Sequence, residues 1–123
     1  MSLRFRKVLV ADERFESAGI MDVNNDGILD IVSGAYWYEG PDYQKSHPVG
    51  LVEAIDENLD DFLTIPLDVN GDGNMDFVTG GWWSETLRWR ENPGQPGKEW
   101  TTHTIAKIGN VETARVGTWI TTE

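Results

Sequence analysis

Cysteine is absent from the 123-residue chain, which excludes a disulfide framework and any thiolate metal site. No apolar run approaches the roughly 18 residues of a membrane span, so membrane insertion is not expected. Residues 1–10 contain basic side chains but only a short apolar segment, and do not read as a secretory signal. No Asn-x-Ser/Thr acceptor occurs. Bases are scarce: 10 Lys and Arg stand against 21 Asp and Glu, a formal charge of −11. A surface of that sign does not displace counterions from a phosphate backbone, so nucleic acid is not an expected partner. Nowhere do apolar residues recur at three and four over about 11 positions, and no long amphipathic helix is expected. The sequence also shows no nucleophile–base pair, phosphate-cradling loop or His-rich metal cluster.

What the chain does contain is glycine, tryptophan and acid. Thirteen Gly and six Trp imply many turns around an aromatic core, and 39% hydrophobic residues suffice for a modest globular domain. The acids are not scattered. Met21-Asp-Val-Asn-Asn-Asp-Gly-Ile-Leu-Asp-Ile-Val-Ser-Gly34 aligns with Leu67-Asp-Val-Asn-Gly-Asp-Gly-Asn-Met-Asp-Phe-Val-Thr-Gly80 at an offset of 46 residues. Downstream, Trp37-Tyr-Glu-Gly-Pro41 aligns with Trp89-Arg-Glu-Asn-Pro93 at an offset of 52, so the second unit carries a six-residue insertion near 82–88. Upstream, Phe15-Glu-Ser-Ala18 resembles Val111-Glu-Thr-Ala114, which marks the start of a third unit. Internal repetition of this kind governs the fold.

Between the acidic loops the sequence reads as short strands. Asp30-Ile-Val-Ser and Asp76-Phe-Val-Thr are β-branched or aromatic runs ended by Gly, and Tyr36-Trp-Tyr and Leu87-Arg-Trp-Arg end in Pro-containing turns. Arg6-Lys-Val-Leu-Val and His103-Thr-Ile-Ala read as further strands. The expected fold is all-β: two four-stranded propeller blades plus flanking strands, a fragment of a β-propeller. Its expected parts are a lone outer strand at 3–10, one blade at 16–53, a second at 62–106, and an incomplete or divergent third at 111–123. An irregular β-sandwich is the alternative.

The shared loop is Asp-x-Asn-x-Asp-Gly-x-x-Asp. Alternate residues of a tight loop can aim oxygen atoms inward, and Ca²⁺ takes six to eight oxygen ligands. The expected ligands are Asp22, Asn24, Asp26, the Ile28 carbonyl and Asp30 in the first loop. Asp68, Asn70, Asp72, the Asn74 carbonyl and Asp76 serve in the second. Gly27 and Gly73 permit the sharp turn after the third ligand. Three carboxylates and one amide suit Ca²⁺ better than Mg²⁺, which keeps several waters. Asn-Gly and Asp-Gly also make ordinary hairpin turns without a metal, but two nine-residue matches in register are hard to obtain from turn chemistry alone. An EF-hand would need Glu at the twelfth loop position. Here Ser33 and Thr79 stand there, inside strand patterns.

These two loops, each followed by a hydrophobic strand and Gly, resemble the FG-GAP/VCBS repeat family over roughly residues 16–106. That resemblance implies blades of an integrin-α-like β-propeller, with calcium stiffening the hairpin between the first two strands of each. It implies a structural or recognition role toward a protein or carbohydrate ligand, in an extracellular or periplasmic setting. Some relatives are sugar-modifying enzymes, so a fragment of an aldos-2-ulose dehydratase-like lyase is the alternative, and a non-enzymatic role is the expectation. Two blades cannot close a ring, so further blades or self-association are expected partners. Trp82 and Trp83, in the insertion, are the best candidates for ligand contact; the remaining aromatics read as core. His47 and His103 fall on outer strands without an evident partner, and Glu16, Glu112 and Arg115 lie near strands that lead to the loops.

Overall fold

The computed structural model describes residues 2–111. Among them there is no helix, and so none long and apolar enough to cross a membrane. Strands β1 (Gly19–Met21), β2 (Asp30–Ser33), β3 (Tyr36–Glu39) and β4 (Lys45–Pro48) form one antiparallel sheet in sequence order. A two-stranded hairpin, β5 (Ala54–Ile55) and β6 (Asn58–Leu59), follows. Strands β7 (Ile65–Leu67), β8 (Asp76–Gly80), β9 (Thr86–Glu91) and β10 (Thr101–Lys107) then form a second four-stranded sheet. Within each sheet every strand pairs with its neighbour in sequence, as short polar connections between alternating strands dictate.

Alternation along the strands decides what each face presents. In the first sheet Gly19, Val32, Trp37 and His47 stand opposite one another across four strands. In the second sheet Ile65, Val78, Trp89 and His103 occupy the matching register. The core lies between the sheets. Met21, Val23, Val32, Trp37 and Val49 of the first unit pack with Phe77 of the second, and half-buried Met75 and Trp100 complete the cluster. Gly19 sets the approach of β1 to β7, since a Cβ there would meet Thr64 and Pro66. The sheets stack through one face each and do not close on themselves.

Three expectations fare differently. The two four-stranded units have their strands at 19–48 and 65–107, the second running one residue past the expected 62–106. Residues 2–18 carry no strand, including the expected outer strand at 3–10, and Leu3, Phe5 and Leu9 remain exposed. A lone strand has no hydrogen-bonding partner of its own, and no sheet edge among the described residues supplies one. The β5–β6 hairpin was not expected. Its Asp56-Glu57 turn places both residues at positive φ (50° and 68°), the geometry of a type I′ turn without the usual Asn-Gly signature. At the expected start of a third unit, Val111 is buried and its N–H donates to the Gly81 carbonyl (3.1 Å). Positions 112–123, with Glu112 and Arg115, lie outside the described residues.

Candidate metal centres

The two acidic loops connect β1 to β2 and β7 to β8, the same place in each sheet. Backbone conformation repeats between them: Asn25 and Gly71 take φ of 57° and 70°, and Gly27 and Gly73 take 82° and 88°. These left-handed residues curl the loop so that consecutive N–H groups point inward at the aspartates. Asp22 accepts from Asp26 N (3.2 Å) and Gly27 N (2.8 Å); Asp26 accepts from Ile28 N (2.9 Å). Asp68 accepts from Gly71 N (2.9 Å), Asp72 N (3.2 Å) and Gly73 N (2.9 Å), and Asp72 accepts from Asn74 N (2.9 Å). The last aspartate of each loop is fully buried. Asp30 accepts from Val23 N (2.8 Å) and Gly40 N (2.9 Å), and Asp76 from Val69 N (3.0 Å) and Asn92 N (2.8 Å).

Each triad, Asp22–Asp26–Asp30 and Asp68–Asp72–Asp76, offers carboxylate oxygens that all lie within 4.8 Å of one another. A carboxylate oxygen that accepts one backbone N–H retains a lone pair, so these hydrogen bonds aim the ligands without consuming them. Burial pushes the Asp30 and Asp76 carboxyls above their ordinary range, and the two other aspartates of each loop push the same way; the backbone N–H donors oppose this. Asp72, which is exposed, is held low chiefly by the Asn74 N–H. The amide nitrogen of Asn24 donates to Asp26 Oδ1 (3.0 Å) and Asp22 Oδ1 (3.2 Å), which ties this side chain into the loop. The carboxylates offer a set of hard oxygen donors that could hold a metal ion.

The three aspartates of each loop are therefore brought together, one cluster per sheet. Asn70 sits in its loop with Oδ1 accepting from Asp72 N (3.4 Å) and Nδ2 toward Glu91 (3.4 Å). Ile28 and Asn74 occupy the position after the turning glycine, where their N–H groups fix the second aspartate of each loop, Asp26 and Asp72. The two loops also touch. Asn25 Nδ2 donates to Asn74 Oδ1 (3.1 Å), across the boundary between the sheets.

Several functional neighbours escaped the sequence reading. Asn92 is buried, and its Nδ2 donates to the Val23 carbonyl (2.8 Å) in the first loop and the Met75 carbonyl (3.1 Å) in the second. Its signal was the replacement of Gly40 by Asn at the matched position, but the partner lies 69 residues away. His47 and His103 do have partners: each stacks on the tryptophan opposite, Trp37 (4.2 Å) or Trp89 (4.4 Å). Each also reaches a glutamate, Glu39 (3.2 Å) or Glu91 (2.8 Å). The Trp, Glu and His of this arrangement recur in both units, yet the longer second unit shifts the histidine offset and hides the repeat.

Asp60 and Asp61, adjacent acids between apolar residues, are buried against the second sheet. Asp61 accepts from Thr79 Oγ1 (2.7 Å) and Ser17 Oγ (3.3 Å), and burial pushes its carboxyl up despite those donors and despite Arg90 and Arg88. Asp60 accepts from Trp83 N (2.9 Å), which anchors the hairpin carrying Trp82 and Trp83. Those two tryptophans are half-exposed at 40% and 39%, on the longer β8–β9 turn that the insertion creates. Exposed Glu16 makes no part of the metal loops.

Compared with known proteins, the chain matches no family model, no curated protein and no solved structure.

Proposed function

We propose that the chain is a calcium-binding pair of β-propeller blades of the FG-GAP/VCBS kind, with a structural and recognition role toward a protein or glycan ligand. The observation that carries this reading is the repeated loop, in which a buried aspartate and two further aspartates converge at the same turn of both sheets. Converging carboxylates repel, and burial penalises their charge, so a divalent cation removes both costs at once. Ca²⁺ would be held by Asp22, Asn24, Asp26 and Asp30 in one loop and by Asp68, Asn70, Asp72 and Asp76 in the other, with the Ile28 and Asn74 carbonyls as backbone ligands. The ion supplies charge neutralisation and a rigid turn. The recognition role rests on Trp82 and Trp83, whose exposed area on an extended hairpin suits stacking or apolar contact.

The test is thermal unfolding with saturating calcium and with EGTA, together with calcium titration calorimetry. Two ions per chain are expected. At a free concentration about 100 times Kd, each site contributes roughly 2.7 kcal/mol to the folded state. Asp26→Asn and Asp72→Asn, both at exposed ligands, should each remove one ion while the fold persists. An unchanged melting temperature in EGTA, with no binding heat, would refute the calcium reading. Retention on a glycan array or protein bait that is lost in Trp82→Ala or Trp83→Ala would support recognition by the hairpin.

A further inference from the structure

The two sheets share a repeat, so equivalent residues can be compared for burial. On the face of the first sheet that meets the second, Met21 is 3% exposed and Val23 is 4%; Val32 and Trp37 are also buried. Their counterparts on the second sheet are Leu67, Val69, Val78 and Trp89. Leu67 and Val69 are 39% and 37% exposed, and Val78 and Trp89 are only half-buried. Among the described residues the same apolar face is thus covered once and left open once, over Leu67, Val69, Val78 and Trp89, while its Gly80 end lies against Leu63 and Val111.

The opposite comparison gives the complement. What covers the first sheet is the other face of the second: Met75 and Phe77, with Pro66 against Gly19. Their counterparts on the first sheet are Leu29, Ile31 and Ile20, of which Leu29 and Ile20 are 57% and 63% exposed. The N-terminal segment at Val10, Ala11 and Glu13 lines this side only near Tyr36 and Tyr38, which leaves the β1 and loop end open.

We propose that a second copy of the chain docks its first sheet, through Ile20, Leu29 and Ile31, onto the open face of the second sheet at Leu67, Val69, Val78 and Trp89. The contact continues the interface already formed between the two sheets of one chain. The two patches differ, so the contact is heterologous and head-to-tail, and the rotation it repeats decides between a closed ring and an open chain of copies. Each junction buries apolar side chains that are otherwise in water, which supplies the driving force.

The experiment is sedimentation velocity of the full chain in calcium buffer over a wide concentration range. Species heavier than the 13.8 kDa monomer are expected, in a concentration-dependent distribution. Leu67→Lys/Val69→Lys breaks one patch and Ile20→Lys/Leu29→Lys the other; each variant alone should sediment as a monomer, with circular dichroism confirming its fold. Mixed in equal amounts, they retain one intact patch each and should form a 1:1 dimer and nothing larger. A wild-type chain that stays monomeric overturns the proposal. So do folded variants that assemble like wild type, or a mixture that yields no dimer. If one pair of substitutions unfolds the chain, Ile20→Lys alone and Val69→Lys alone serve in its place.

Discussion

Replacing Asn92 by Ala tests the link between the two loops. The side chain is 4% exposed and makes three hydrogen bonds: Nδ2 to the Val23 carbonyl (2.8 Å) and the Met75 carbonyl (3.1 Å), and Oδ1 from Gly94 N (2.9 Å). Alanine removes all three and preserves the backbone bond from Asn92 N to Asp76. At about 1 kcal/mol net for each bond, the loss comes to roughly 3 kcal/mol, and more where a carbonyl is left without solvent. For a chain of this size that is about 12 °C in Tm, taking roughly 4 °C per kcal/mol. The assay is urea unfolding in saturating calcium, followed by tryptophan fluorescence, with thermal melts beside it. A fall in midpoint at constant slope means lost stability, whereas a shallower or biphasic curve means that the sheets have begun to unfold separately. Either outcome agrees with a bridging role. A loss below about 0.5 kcal/mol would refute it, because surface substitutions of no structural consequence fall in that range. Asn92→Gly, which copies the residue at the matched position of the first unit, should lose at least as much.

Two further perturbations address the packing and the buried charge. Phe77, 1% exposed in the cluster between the sheets, should cost about 3–5 kcal/mol when truncated to Ala, measured by the same urea titration. A cost under about 1 kcal/mol would mean that the sheets do not share a core. Burial raises the Asp61 carboxyl above its ordinary 3.8, so the folded chain holds that proton more tightly than the unfolded chain does. The linked stability is gained as pH falls through the raised value toward 3.8, and lost as pH rises. Asp61→Asn removes this dependence. Its Tm relative to wild type should therefore be more favourable at pH 8 than at pH 4, and a difference that is flat with pH would show that Asp61 is not desolvated.

The acidic loops could be read from the sequence because their chemistry is local. The aspartates, the turning glycine and most of the inward N–H groups fall within nine residues, and tertiary structure adds the burial of Asp30 and Asp76 and their bonds from Gly40 N and Asn92 N. The strands were legible for a similar reason: both are β-branched or aromatic runs ended by Gly, and in Asp30-Ile-Val-Ser the observed burial alternates, whereas in Asp76-Phe-Val-Thr-Gly every residue but Val78 is buried. The expected strand at 3–10 had the composition of a strand, but a strand exists only against a partner edge, and composition does not provide one.

By itself, then, the sequence determined the repeat, the all-β class and which aspartates cluster, since each is set by spacing over a few residues. Only the tertiary structure decided the longer-range contacts: that Asn92 reaches Val23, that Asp60 and Asp61 are buried against the second sheet, and that each histidine stacks on a tryptophan. These contacts join residues 10 to 69 positions apart, so no local pattern encodes them. Burial of Met21 and exposure of its counterpart Leu67 likewise depend on which sheet lies alongside, and that is a property of packing, not of either strand.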